Sequence, residues 1–138
     1  MAHHGNTLIS SLCYADAPAA ILWLEKAFGF TPHLVVPEES GKVRHAQLMT
    51  ADGKSMFMLY SQRHDHPQHP SAPPTQLGGS SQSLYLVVDD VAAHYERALA
   101  AGAKIILPPT AQDYGGSCYT CVDPEGHIWN FGSYNPWA

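Results

Sequence analysis

Charge is scarce in this sequence. Only 14% of its 138 residues are charged, and seven Lys and Arg stand against twelve Asp and Glu for a formal net charge of −5. With no basic stripe to displace counterions, neither nucleic acid nor an anionic membrane surface is an expected partner. The three cysteines, Cys13, Cys118 and Cys121, are too few and too unevenly spread for a disulfide scaffold, and an odd number suits a reducing compartment. No run approaches the roughly 20 apolar residues of a membrane span. The opening Met1-Ala2-His3-His4-Gly5-Asn6 lacks the basic segment and apolar run of a signal peptide, so a cytoplasmic protein is expected. What is abundant is apolar material: 45% hydrophobic residues suffice for a real core, and the length suits one domain or two small modules sharing a core. Nine histidines are the unusual surplus, and they raise the question of a metal site.

An internal repeat organises the chain. Asp16 and Gly29 bracket a segment in which Ile21, Leu24 and Phe28 recur at helical spacing. Asp89 and Gly102 bracket a second of the same length, with Val91, Tyr95, Ala98 and Leu99 as its apolar stripe and His94, Glu96 and Arg97 mostly on the other side. Each Asp can accept a hydrogen bond from the first turn, and each Gly can take the left-handed conformation that ends a helix. A strand is predicted before each helix, Thr7 to Tyr14 and Ser83 to Val88. Strand-like runs follow, ending in the turns Thr50-Ala51-Asp52-Gly53 and Asp123-Pro124-Glu125-Gly126, with last strands from Ser55 to Tyr60 and from His127 to Tyr134. The expectation is a single α+β domain of two β-α-β-β-β modules, about 7–61 and 83–135, joined by a polar Pro- and Gly-rich connector, about 62–82.

Strand alternation then assigns faces. Leu8 and Leu12 oppose Ile9, Ser11 and Cys13; Phe57 and Leu59 oppose Met56, Met58 and Tyr60; Leu84, Leu86 and Val88 oppose Ser83, Tyr85 and Val87. One face is aliphatic, to lie under a helix. The other is mixed, as expected of a curved sheet around a small-molecule cleft.

The paired modules, the helix end Glu25-Lys26-Ala27-Phe28-Gly29-Phe30 and the ending Asp123-Pro124-Glu125-Gly126-His127-Ile128-Trp129-Asn130-Phe131-Gly132 resemble the vicinal oxygen chelate superfamily, which includes glyoxalase I, bleomycin-resistance proteins and extradiol dioxygenases. In its metal-dependent members four ligands come from the first and last strands of each module. That pattern falls here on Ile9, Met58 (or Phe57), Ser83 and Asn130. Ile and Phe offer no lone pair, a thioether is a poor ligand for zinc, nickel or magnesium, and Ser and Asn are weak neutral donors, so no metal or other cofactor is expected. The resemblance then implies the resistance-protein branch: metal-free homodimers that sequester a flat-sided antibiotic in aromatic-lined clefts. By strand parity Ser11, His45, Gln47, Met58, Tyr60, Ser83, Tyr85, Tyr119 and Asn130 are placed near the ligand. The alternatives are a glyoxalase-like lyase or isomerase with unusual metal ligands, and a regulatory subunit with no small-molecule role.

Other motifs have plain readings. His64-Asp65-His66-Pro67-Gln68-His69 gathers imidazoles and a carboxylate, but in a loop without a rigid element to fix ligand geometry. His3 and His4 read as a disordered terminus. Cys118 and Cys121 lie three apart on a strand and so face opposite ways. Trp23, Trp129 and Phe131 read as core, and Trp137 as a cover for a dimer contact or a fraying end. The pairs Gly78-Gly79 and Gly115-Gly116 lack the strand-to-helix context of a phosphate loop.

Overall fold

A computed structural model describes residues 5–64 and 70–138. His3, His4 and most of the His64 to His69 cluster lie outside the described residues. The chain divides into two compact units, residues 1–73 and 74–138. In the first, β1 (Ser11–Tyr14) leads into α1 (Ala17–Phe28), β2 (Thr31–Pro37), β3 (Val43–Met49) and β4 (Met56–Ser61). In the second, the short helix α2 (Pro74–Leu77) precedes β5 (Ser83–Val87), α3 (Val91–Ala100), β6 (Lys104–Ala111), β7 (Ser117–Val122) and β8 (Ile128–Gly132). Each unit holds one four-stranded mixed sheet, ordered β1-β4-β3-β2 or β5-β8-β7-β6, with its first and last strands paired in parallel. The expected α+β fold of two β-α-β-β-β modules is present.

Helix α1 begins where Asp16 accepts a bond from Ala19 N at 3.1 Å, with Pro18 tolerated in the first turn, and stops at Gly29, whose φ of 75° is the left-handed conformation. Its Ile21, Leu24 and Phe28 are buried over Leu12, Ala46, Leu48, Phe57 and Leu59. Burial of one such side chain stabilises by roughly 1.5–3 kcal/mol. Phe30 links helix end to sheet, edge-on to Phe28 at 5.7 Å and to Phe57 at 5.0 Å.

The second helix departs from expectation in three ways. Its N-cap is Asp90 rather than Asp89, accepting from Ala93 N at 3.0 Å, and its C-cap is Ala101 rather than Gly102, so the helix has ten residues against twelve in α1. Leu99 is 46% exposed instead of joining the apolar stripe. His94, expected on the solvent side, packs on the sheet, with its ring 4.1 Å from that of Phe131. Val91 and Ala98 of the expected stripe are buried, and His94 stands three residues after the one and four before the other, so helical spacing puts it on their face.

The first strand is shorter than expected: residues 7–10 make no regular ladder, and Leu8 is 91% exposed. Asn6 holds this segment beside β4 instead, its side chain donating to Met56 O at 3.0 Å and accepting from Met56 N at 3.1 Å. The outer strands β2 and β6 carry register shifts and contain Pro32 and Pro37 or Pro108 and Pro109, which cannot donate to a ladder.

Candidate functional site

The face of each sheet turned away from its helix carries the chemistry. In the first unit one row across that face reads Leu34, Gln47, Met58 and Ser11, since Leu34 pairs with Gln47, Gln47 with Met58, and Met58 with Ser11. The matching row in the second unit reads Leu107, Thr120, Asn130 and Tyr85. Four expected site residues, Ser11, Gln47, Met58 and Tyr60, thus share the first unit's open face, with His45 opposite Val36 on the same side. Ser83, Tyr85 and Asn130 share the second unit's open face.

Tyr119 does not belong with them. It pairs with Phe131, not with Asn130, and both rings are fully buried against α3. Its hydroxyl meets His94 Nδ1 at 2.5 Å, and Tyr95 closes on it edge-to-face at 5.3 Å. Burial drives the phenol far above its ordinary range, so Tyr119 stays protonated. Thr120 takes the place assigned to Tyr119: its hydroxyl donates to Asn130 Oδ1 at 2.7 Å, while Asn130 Nδ2 donates to Leu84 O at 3.1 Å.

On the first unit's open face Gln47 joins two imidazoles. Its Oε1 lies 2.9 Å from His45 Nε2, and its Nε2 lies 3.2 Å from His33 Nδ1. His33 was not foreseen from the sequence. It is the extra residue where the pairing slips between Pro32 and Leu34, a bulge that strand periodicity does not announce. His33 also borders an open cavity of about 520 Å³ lined by Ile9, Met49, Gly53, Lys54, Ser55 and Met56. None of the nine expected residues lines this cavity, although Gln47 reaches its wall through His33. Met49 and Met56 are direct cross-strand partners, so two adaptable thioethers lie side by side.

The residues at the superfamily's metal-ligand positions do not fit a divalent ion. Ile9 has no donor atom, Met58 offers a thioether, and the Asn130 carbonyl already accepts from Thr120. Among the described residues no three His, Cys, Asp or Glu side chains converge in a way that could hold a metal. Cys118 and Cys121 occupy opposite faces of β7, and burial raises both thiols, Cys121 to about 12, which leaves neither as a ready nucleophile. No helix among the described residues is long and apolar enough to cross a membrane.

Comparison with known proteins agrees with this architecture. The uncharacterised protein Mb0911c of Mycobacterium bovis is 36% identical over 120 residues, covering 85% of this chain and 76% of that protein. Among solved structures, TioX from Micromonospora sp. ML1 is 31% identical with a TM-score of 0.71, covering 92% of this chain and 94% of TioX. The bleomycin resistance determinant encoded on transposon Tn5 shares the fold at 19% identity and a TM-score of 0.65, over 94% of this chain and 98% of that one. A sequence model of the Glyoxalase/Bleomycin resistance protein/Dioxygenase superfamily matches residues 4–131, and the chain belongs to that superfamily.

Proposed function

We propose that this protein binds a small hydrophobic or aromatic compound without a metal ion, and that it protects by sequestration, with an antibiotic as the ligand. The observation that carries the reading is the composition of the open sheet faces. They bear Met49, Met56, Met58, Tyr60 and Tyr85 with a few hydrogen-bonding amides and imidazoles, and among the described residues no carboxylate joins them in a metal-binding group. Thioethers and phenol rings form an adaptable apolar surface, and groups such as Gln47 and Asn130 orient what lies on it. Likeness to a bleomycin resistance determinant supports the same direction through the fold alone. The protein acts as a homodimer in the cytoplasm on this reading.

Elemental analysis of untagged protein, followed by thermal-shift screening against antibiotics and 2-oxoaldehydes with and without nickel or zinc, tests it. A metal-independent rise in melting temperature with an aromatic antibiotic is expected. Stoichiometric metal retained after mild chelation would overturn the reading in favour of a glyoxalase-like lyase or isomerase. Substituting Met58 and Tyr85 by Ala should abolish the ligand-induced fluorescence change; an unaltered change removes the open faces as the binding surface.

A further inference from the structure

The matched rows of the two units expose an exchange. The first unit has a tyrosine, Tyr60, on its central strand β4 and a small residue, Ser11, on the edge strand β1. The second unit reverses this: the edge strand β5 carries Tyr85 in the Ser11 place, and the central strand β8 has Gly132 in the Tyr60 place. The two features of the second unit depend on each other. A Cβ built on Gly132 would lie 2.5 Å from Tyr85 Oη, 3.0 Å from its Cε1 and 3.1 Å from Ser117 O. The ring edge of Tyr85 therefore occupies the space that a side chain at residue 132 would need, and since the Ser117 carbonyl can give by only a few tenths of an ångström, the tyrosine is the group such a side chain would push aside.

The ring is also tethered. Tyr85 Oη donates to Tyr134 O at 2.6 Å, and Tyr134 stands edge-to-face with Tyr114 at 4.8 Å. Tyr85, Tyr114 and Tyr134 are 40%, 58% and 38% exposed, so three neighbouring tyrosines meet solvent here. Burial raises the Tyr85 phenol, which keeps the proton that the tether uses. With that proton committed, the hydroxyl oxygen offers lone pairs and no donor.

We infer that Gly132 is a positioning residue for ligand binding: by lacking a side chain it lets Tyr85 lie against β8, where a planar aromatic ligand meets the ring face and an oxygen that accepts a hydrogen bond but gives none. The ligand class follows, a flat aromatic compound with an N–H or O–H donor on its edge. This rests on the binding function proposed above and specifies the ligand chemistry of that site.

Fluorescence titration with 2-aminoanthracene and 2-methylanthracene tests the inference, because both are neutral planar tricycles of nearly the same shape and only the first carries an N–H donor on its edge. Wild-type protein should bind 2-aminoanthracene about three- to tenfold more tightly, the worth of one neutral hydrogen bond. Tyr85→Phe should bring the ratio of the two affinities close to one. Gly132→Ala should weaken binding of both anthracenes tenfold or more and lower the melting temperature. The double variant Gly132→Ala with Tyr85→Ala controls for misfolding: its melting temperature should return to that of Tyr85→Ala alone, with binding as weak as in that single variant. Anthracene affinities of Gly132→Ala within twofold of wild type, or a double variant as unstable as Gly132→Ala, would overturn the inference. If wild-type protein ignores both anthracenes but binds other aromatic compounds in a way that survives Tyr85→Ala, the inference falls and the binding function stands. If no aromatic compound binds, both fall.

Discussion

The two units share a plan and fill it with different chemistry. Beneath α1 the first sheet is mostly aliphatic, with Leu12, Leu48 and Leu59 fully buried. Beneath α3 the second is aromatic: Tyr119 stacks on Phe131 at 5.2 Å, Phe131 lies parallel to Trp129 at 6.2 Å, and His94 and Tyr95 close the cluster from the helix. The turns diverge in the same sense. Asp52 is exposed and accepts from Thr50 Oγ1 and Lys54 N, whereas Asp123 is buried and accepts from the backbone of Glu125 and His127 and from Trp129 Nε1. A duplicated frame tolerates such divergence because strand pairing needs only the backbone, while each core is free to settle on its own set of interlocking side chains.

Core truncations should have the largest effects. Phe131→Ala removes a ring packed between two others and His94, and should cost about 4 kcal/mol, while Leu59→Ala in the first unit should cost about 3. Urea denaturation measures both, and a larger loss for Leu59→Ala would mean that the aromatic cluster adds nothing beyond its volume. The turn acids come next. Asp123→Ala leaves two backbone N–H groups and the Trp129 indole without their acceptor, with an expected cost of about 2–3 kcal/mol. The matched Asp52→Ala, made at an exposed turn, should cost under about 1 kcal/mol. Equal costs at the two turns would break the comparison.

The sequence announces the shared plan far better than the divergence. Capping Asp residues, terminating Gly residues and turn motifs are local signals, and the matched spacing of Asp16, Gly29, Gly53 and their counterparts exposes the repeat without knowledge of packing. Faces are legible where one side is plainly aliphatic, as in Phe57 and Leu59 against Met56, Met58 and Tyr60. They are not legible in Ser117-Cys118-Tyr119-Thr120-Cys121-Val122, where either parity offers apolar groups. There the pairing of Thr120 with Asn130 decides the face, and that is a long-range fact. His94 lies on the face of Val91 and Ala98 by helical spacing, but an imidazole reads as a solvent-side group until its buried partner Tyr119, 25 residues away in sequence, is known. His33 depends on a bulge, and the bond between Tyr85 and Tyr134 joins residues 49 apart in sequence.

Titration separates the units further. The buried Cys121 thiol is pushed to about 12, mainly by desolvation and secondarily by Asp123, against about 8.5 for an unfolded thiol. The folded state keeps its proton across that interval, so the associated stability is complete below pH ~8.5 and is lost as pH rises toward the folded value. Melting temperature should fall from about pH 8.5 upward, with a shallower slope in Cys121→Ala between pH ~8.5 and ~10, before tyrosines begin to ionise. The first unit responds at the opposite end of the scale, and more weakly. The backbone N–H of Lys54 and then the Thr50 hydroxyl hold the Asp52 carboxyl below its ordinary value. Stability from that source is present above the unfolded carboxylate value of about 3.9 and is lost as pH falls through the lower folded one. Asp52→Asn should therefore melt slightly below wild type at neutral pH, with the gap closing as pH falls below about 4. Identical acid limbs in the two proteins would show that the turn carboxylate carries no charge-dependent stability, leaving Thr50 and the glycine turn to close β3 onto β4 unaided.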